Sequence, residues 1–333
     1  MKSKGISLDT LMATNFGELK WTVPAILPEG LTILAGKPKI GKSWLTLNLS
    51  LAVGAGRNVF GDYETNRGDV LHLALEDNAR RLKSRINTIT DNQLPRSDVH
   101  FRVSCPTVCE GGLGEIRDWI DSSSNPRLVI IDTLQMFTGS PDNNSSRLYE
   151  KDYERLKGLK KLASNKKVSI LLVHHLRKME ASDYIDSVTG TSGLTGCADT
   201  IWVLERGREE TEAVLRVTGR DVEEEAYALK EARTGVWEIQ GTTEYLRSSR
   251  QRQEIISLLK EAKEALSPVE IADELDKNRS TVRTLLRKLV DSGQLESTSY
   301  GRYRISLQSS QESFQNLFNN NNNNNINGEG YIE

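Results

Sequence analysis

The chain has 333 residues, 37% of them hydrophobic, with 44 Lys and Arg against 46 Asp and Glu and a formal net charge of −2. That length suits about two domains, and the near-neutral balance excludes a polycation that grips nucleic acid over its whole surface, so any such contact must come from local patches. Cys105, Cys109 and Cys197 make no even framework and have no histidines at metal-ligand spacing, and no apolar run approaches the roughly 20 residues needed to cross a bilayer. The expectation is reduced thiols in a soluble, cytoplasmic protein without a signal peptide.

Residues 1–28 read as a leading segment, in which Trp21, Val23, Ile26 and Leu27 can pack on the adjoining domain while Pro24 and Pro28 limit regular structure. A short apolar run, Leu31-Thr32-Ile33-Leu34-Ala35, then meets Gly36-Lys37-Pro38-Lys39-Ile40-Gly41-Lys42-Ser43, and a helix-patterned segment runs on from Trp44 to Val53. Strand, loop and helix in that order are the context a phosphate-binding loop requires. Its glycines let successive N–H groups turn toward phosphates at a helix N-terminus, where the dipole also favours negative charge. The ligand is read as ATP or GTP, with Lys42 reaching the β- and γ-phosphates and Ser43 ligating Mg²⁺.

Gly54-Ala55-Gly56 stops that helix. Residues 70–75, 99–103, 128–132 and 168–173 are apolar runs of strand length, and 113–120 and 147–162 carry helical patterns between them. The alternation predicts an α/β fold built on an open, doubly wound, mostly parallel sheet with its ligand at the carboxyl ends of the strands. Residues 200–204, 213–218, 226–230 and 236–239 read as further strands with short polar connections, expected to continue the sheet as antiparallel members.

Three sites on that sheet carry chemistry. Asp132 ends a hydrophobic strand, the position and type of a Walker B aspartate that holds Mg²⁺ through water, with Thr133 beside it. Glu76 ends the strand at 70–75 and is the candidate to position and activate the attacking water; Asp77 is its rival, or else the cap of a helix through Ala79, Leu82 and Ile86. His174 and His175 end the strand at 168–173, where one of them can hydrogen-bond the γ-phosphate and report its loss.

As an ordered set, Gly36 to Ser43, Leu75-Glu76-Asp77, Val129-Ile130-Ile131-Asp132 and Val173-His174-His175 resemble the RecA-fold ATPases of the plasmid RepA helicase group, relatives of DnaB and KaiC, over residues 10–242. The resemblance implies a homo-oligomeric ring or filament, expected to be a hexamer, with ATP at each interface. It further implies Glu76 as catalytic carboxylate, Asp132 for magnesium and His175 as γ-phosphate sensor. An arginine from the neighbouring subunit completes each site in such assemblies. Arg220, following Val217-Thr218-Gly219, sits where that family tends to carry it, with Arg206 and Arg208 as rivals. The loops at 137–147 and 176–192 occupy the positions that line the DNA path in similar proteins; Arg177 and Lys178 could meet phosphates, and Glu180, Asp183 and Asp186 oppose them, so a mobile solvated loop is an equal reading.

Beyond Gly241 the pattern changes to compact helices. A helix at 250–262 carries Ile255, Ile256, Leu258 and Leu259, and Ser267-Pro268-Val269-Glu270 is a capping box opening a second. A third starts near Ser280, buries Val282, Leu285, Leu286 and Leu289, and offers Lys277, Arg279, Arg283 and Arg287 on its other face. Residues 291–296 and 300–305 complete the hairpin of a wing, with Arg302 and Arg304 at its tip to reach a minor groove or phosphates. The segment resembles the winged helix-turn-helix superfamily, which implies duplex DNA as partner, the alternative being a winged helix used only in protein contacts.

The resulting plan is a leading segment at 1–28, a RecA-like ATPase domain at 29–242, a winged helix at 250–307 and an Asn-rich tail at 308–333 expected to be disordered. The expected function is an ATP-hydrolysing DNA motor, a RepA-like helicase or helicase loader for a plasmid, phage or other mobile element, passing single strands through the ring. The alternatives are an ATP-controlled DNA-binding regulator without unwinding activity and a recombination or repair ATPase. With no evident primase or zinc-ribbon module, fused primase activity is not expected.

Overall fold

Residues Leu31, Ile33, Leu34 and Ala35 are all buried, although they point to both faces of the strand they form, β3 (Gly30–Gly36). A strand apolar on both faces must lie inside a sheet covered on both sides. The computed structural model describes residues 5–139, 148–176, 196–206, 212–262, 264–298 and 301–306, the side chains of 148–155 excepted. The chain divides into two compact units, Met1–Thr243 and Glu244–Glu333.

In the first unit, α1 (Leu8–Ala13) and the antiparallel pair β1 (Trp21–Val23) and β2 (Leu27–Pro28) precede β3. Next come α2 (Lys42–Ala55), β4 (Asp69–Ala74), α3 (Ala79–Thr90), β5 (Val99–Arg102), α4 (Gly112–Ser122), β6 (Pro126–Asp132), α5 (Leu134–Thr138), α6 (Leu148–Lys166), β7 (Ser169–His175), β8 (Thr200–Arg206), β9 (Glu212–Gly219), β10 (Glu225–Arg233) and β11 (Val236–Thr242). Nine of these strands form one sheet in the order β11-β10-β9-β8-β3-β7-β6-β4-β5. The six from β8 to β5 run parallel, and β9, β10 and β11 continue antiparallel, as the short connections predicted. Gly56, at φ 64°, closes α2 where the glycine pair had marked a stop.

Alternate residues of each central strand feed two different cores. Leu34, Val70, Ile130 and Leu171 meet Leu45, Leu49 and Val53 of α2 on one face. Ile33, Leu71, Ile131 and Leu172 meet Ile116 and Trp119 of α4 and Leu159 of α6 on the other. Each such side chain contributes about 1.5–3 kcal/mol by leaving water. The sheet's two edges are of different kinds: among the described residues β5 is short and pairs only with β4, while β11 pairs only with β10 through a ladder interrupted by two register shifts.

The second unit contains α7 (Thr243–Glu261), α8 (Pro268–Glu274), α9 (Arg279–Asp291) and the hairpin β12 (Leu295–Ser297) and β13 (Tyr303–Ile305). Helix α7 starts seven residues before the expected position at 250, because its first two turns are polar and Tyr245 there is exposed, so no apolar period announces them. The capping box at Ser267 and Glu270 is present, with Pro268 at the first turn of α8. Ile255, Leu259, Ile271, Val282, Leu286, Leu289 and Leu295 form this unit's own core. Among the described residues no helix is long and apolar enough to cross a membrane. The tail at 308–333 lies outside the described residues.

Because both faces of β7 are covered, Leu171→Ala and Leu172→Ala should each lose about 2–5 kcal/mol in chemical denaturation. A near-zero loss for either would mean that β7 has one tolerant face.

Candidate nucleotide-binding site

The phosphate-loop sequence leaves β3 at Gly36, where a Cβ would stand 2.6 Å from Ile40 Cδ1 and 2.8 Å from the Leu204 carbonyl oxygen. Gly41 immediately precedes α2 with φ 106°, a left-handed conformation closed to most side chains. No side chain caps α2, so its first N–H groups remain available to an anion in the loop. The back of the loop rests on the antiparallel extension: a Cβ on Gly41 would lie 3.2 Å from the Trp237 ring, over which the Arg206 guanidinium stacks at 4.7 Å.

Lys42 is 4% exposed, and its ammonium donates to the carbonyl oxygens of Gly36 at 2.7 Å and Lys37 at 2.8 Å. Its third contact is His175 Nδ1 at 3.1 Å, brought there because Gly36 and His175 are register partners in the parallel ladder of β3 and β7. Burial lowers the Lys42 pKa to about 8, opposed by the charges of Asp132 and Glu76. With an ammonium donating to Nδ1, the His175 proton belongs on Nε2, which faces Glu76 Oε2 at 3.6 Å. Glu76 Oε1 accepts a hydrogen bond from the Thr133 hydroxyl at 2.7 Å. Lys42, His175, Glu76 and Thr133 thus form one connected chain of contacts at the carboxyl end of the parallel strands.

Asp132 stands beside them at the end of β6, 6% exposed. Burial pushes its carboxyl above the ordinary range, partly offset by a hydrogen bond with the Ser43 side chain. Its Oδ1 is buried without a hydrogen-bond partner among the described residues. A carboxylate oxygen left bare beside a serine hydroxyl fits a hard divalent cation, which takes oxygen donors. Asp77 is engaged elsewhere. Arg81 and Arg85 contact its two oxygens at 2.6 and 2.7 Å, and these bonds outweigh burial and hold its carboxyl below the usual range. Nor does Asp77 cap α3, because Asn78 takes that position and accepts from the Arg81 amide.

Several side chains here gave no signal in the sequence. His72 reads as part of an apolar run, yet it is buried, contacts Ser50 Oγ at 2.8 Å and has its pKa lowered by burial to about 3, so it is neutral. It lines a cavity of about 100 Å³ together with Ser43, Glu76, Asp77, Arg85 and Asp132. Arg85 also stacks 5.4 Å over Trp44, the residue after Ser43. Tertiary neighbours alone create these positions; no local spacing does.

The predicted arginines separate. Arg206 pairs with Glu231 at 2.6 Å beside its own phosphate loop. Arg220 lies at the opposite end of the sheet, 3.5 Å from Asp199 and 61% exposed, so it cannot reach this chain's loop. Arg208 and most of the two predicted DNA-lining loops lie outside the described residues. Phe137, taken as the start of the first loop, instead belongs to α5 and is buried in the core, so it cannot line a DNA path.

In the second unit, Arg283 and Arg287 stand exposed one turn apart on α9, without ion-pair partners among the described residues. Arg279 lies 3.4 Å from Asp273. Lys277 is not on that basic face, because Glu254 of α7 holds it at 2.7 Å. At the wing, Arg302 donates to the Ala265 carbonyl oxygen at 2.7 Å and to Glu270 at 3.0 Å, and Arg304 pairs with Glu296. The wing arginines therefore brace the fold rather than project from its tip.

Sheet order, loop and converging carboxylates define a P-loop ATPase of the RecA-like fold. Residues 5–181, more than half of the chain, match the AAA domain family, and the chain belongs to it. Residues 254–299 match the IclR helix-turn-helix domain. The DNA repair protein RadA of Streptococcus pyogenes serotype M1 is 26% identical over 196 residues, 57% of this chain and 36% of that protein. RadA of Bacillus subtilis strain 168 is 24% identical over 204 residues, 61% of this chain and 39% of its own length, so the chain spans under two fifths of these relatives. The structure of a DnaB-like replicative helicase and its interactions with primase superposes with a TM-score of 0.50 at 15% identity, covering 63% of this chain and 57% of that one, a likeness of fold.

A bound triphosphate favours the ammonium form of Lys42. Above about pH 8 the free site has lost that proton, so binding must take it up. Affinity for ATP should therefore fall as pH rises past that value, by up to about tenfold per pH unit, and be flat from this group below it. Calorimetric titration in buffers of different ionisation enthalpy reads both the affinity and the proton uptake.

Proposed function

We propose that the chain is an oligomeric, ATP-hydrolysing DNA motor, a RepA-like helicase or helicase loader for a plasmid, phage or other mobile element. The observation that carries this is the convergence of Lys42, Ser43, Asp132, Glu76 and His175 at one end of adjacent parallel strands. In this reading Gly36 to Ser43 wrap the phosphates of ATP, and Lys42 turns from its loop carbonyls to the β- and γ-phosphates. Mg²⁺, held by Ser43 and Asp132, would offset the phosphate charge. Glu76, oriented by Thr133, takes the proton of the attacking water; Asp77 leaves it that role because Arg81 and Arg85 already hold Asp77. His175 lies between the phosphate-binding lysine and the water-activating carboxylate, which suits a sensor of the γ-phosphate.

Arg220, exposed and remote from its own loop, acts on a neighbour's site, which makes the active unit a ring, proposed as a hexamer working in the cytoplasm. The curated relatives are DNA repair proteins and the second unit matches a helix-turn-helix family, which together favour DNA as the partner. Arg283 and Arg287 would meet duplex phosphates or guanine edges, with Arg279 exchanging Asp273 for DNA. The match to the IclR helix-turn-helix domain supports a second reading, a regulator in which ATP sets assembly and the winged helix binds a duplex site without unwinding. Directional unwinding of a forked duplex separates the two, and strand exchange would point to a recombination ATPase instead.

Lys42→Ala should abolish hydrolysis, and Glu76→Gln should keep ATP binding while losing turnover. Wild-type turnover in either would refute these roles. Replacing Arg283 and Arg287 by alanine should weaken duplex binding and flatten the slope of log affinity against log salt by about 2, as read by fluorescence anisotropy.

A further inference from the structure

Two buried acceptors at the carboxyl end of β4 and β6 meet no donor among the described residues. One is Asp132 Oδ1. The other is a ring nitrogen of His72. The Ser50 hydroxyl gives its single proton to the Thr46 carbonyl oxygen at 2.9 Å, so in its 2.8 Å contact with His72 Nδ1 the imidazole is the donor. Burial keeps the ring neutral, which leaves Nε2 a bare acceptor on a side chain only 2% exposed. The ring's other neighbour, Phe101 at 5.5 Å between centroids, has no N–H or O–H to offer.

Strand register brings the two acceptors together. Ala74 and Asp132 are partners in the β4–β6 ladder, and His72, two residues before Ala74, shares its face of β4. The small Ala74 side chain helps leave the cavity of about 100 Å³ that His72 and Asp132 both line, with Ser43, Glu76 and Arg85. That is room for a few waters at about 30 Å³ each, and walls this polar admit water where apolar ones stay dry. We infer that His72 is a positioning residue of the ATPase site: Nε2 and Asp132 Oδ1 take the two protons of one cavity water. A water with both protons so engaged turns its oxygen lone pairs toward a cation. His72 thereby orients the hydration of the divalent ion proposed for Ser43 and Asp132, a role that rests on that reading.

The test separates the two ring nitrogens in the full-length chain. His72→Asn keeps a donor for Ser50 and loses the group at Nε2, whereas His72→Gln places an amide oxygen near Nε2 and gives up the Ser50 bond. With a non-hydrolysable ATP analogue bound, Mn²⁺ affinity is read by electron paramagnetic resonance, and affinity for the analogue without metal by calorimetry. His72→Asn should weaken Mn²⁺ binding at least about tenfold, leave metal-free nucleotide affinity and melting temperature unchanged, and be largely rescued in His72→Gln. A histidine that only braces α2 predicts the reverse order, and that result would overturn the inference, as would equal effects in the two variants. Long-range ¹H–¹⁵N spectra of the wild type decide independently of any variant's folding: the His72 proton should be on Nδ1, and a proton on Nε2 rules the water's role out. Asp132→Asn is the reference. Undiminished Mn²⁺ affinity there would remove the proposed metal site as well, whereas a loss there without one in His72→Asn removes only the role of His72.

Discussion

A lysine ammonium held among two loop carbonyls and a histidine is an electrostatic arrangement waiting for an anion. Lys42 loses hydration by its burial and regains only part of that through Gly36, Lys37 and His175, which is why its basicity falls. A triphosphate would complete the shell. The rest of the first unit is the scaffold that makes this possible: the β3–β7 register places His175, the β4–β6 register places Glu76 beside Asp132, and both depend on strands buried on two faces.

The distribution of cations in the second unit obeys a different logic. Lys277, Arg302 and Arg304 are occupied by Glu254, Glu270 and Glu296, so the positive residues tie helices and wing together. Arg302 reaches the same Glu270 that closes the capping box of α8, joining the wing to the helix before the basic one. Of the arginines expected to meet DNA, Arg283 and Arg287 in the middle of α9 are those left without an ion pair among the described residues, a narrower surface than a count of arginines would suggest.

The sheet was legible because burial writes itself into short, nearly continuous apolar runs, and the loop because glycine spacing and a lysine–serine pair have no simpler use. The antiparallel extension, the Ser267 capping box and the basic helix were legible for similarly local reasons. The features that escaped depend on partners distant in sequence. Nothing near Asp77 says that Arg85 will hold it, nothing near Gly41 announces Trp237, and His72 looks like one more member of a hydrophobic strand. The early turns of α7 were missed for want of any apolar period, and Phe137 was assigned to a loop because a five-residue helix leaves too little pattern to read.

The ends of the sheet bear on how such a molecule stays discrete. An open sheet of nine strands always has two borders whose unpaired backbone groups could recruit a further strand. Here one border is β5, only 4 residues long, and the other is β11, whose pairing with β10 is broken by two irregularities. A short border and a kinked one are poor templates for strand addition. Growth by strand addition is thereby discouraged, and any contact between copies of this chain falls to side-chain shape rather than to the open edges of the sheet.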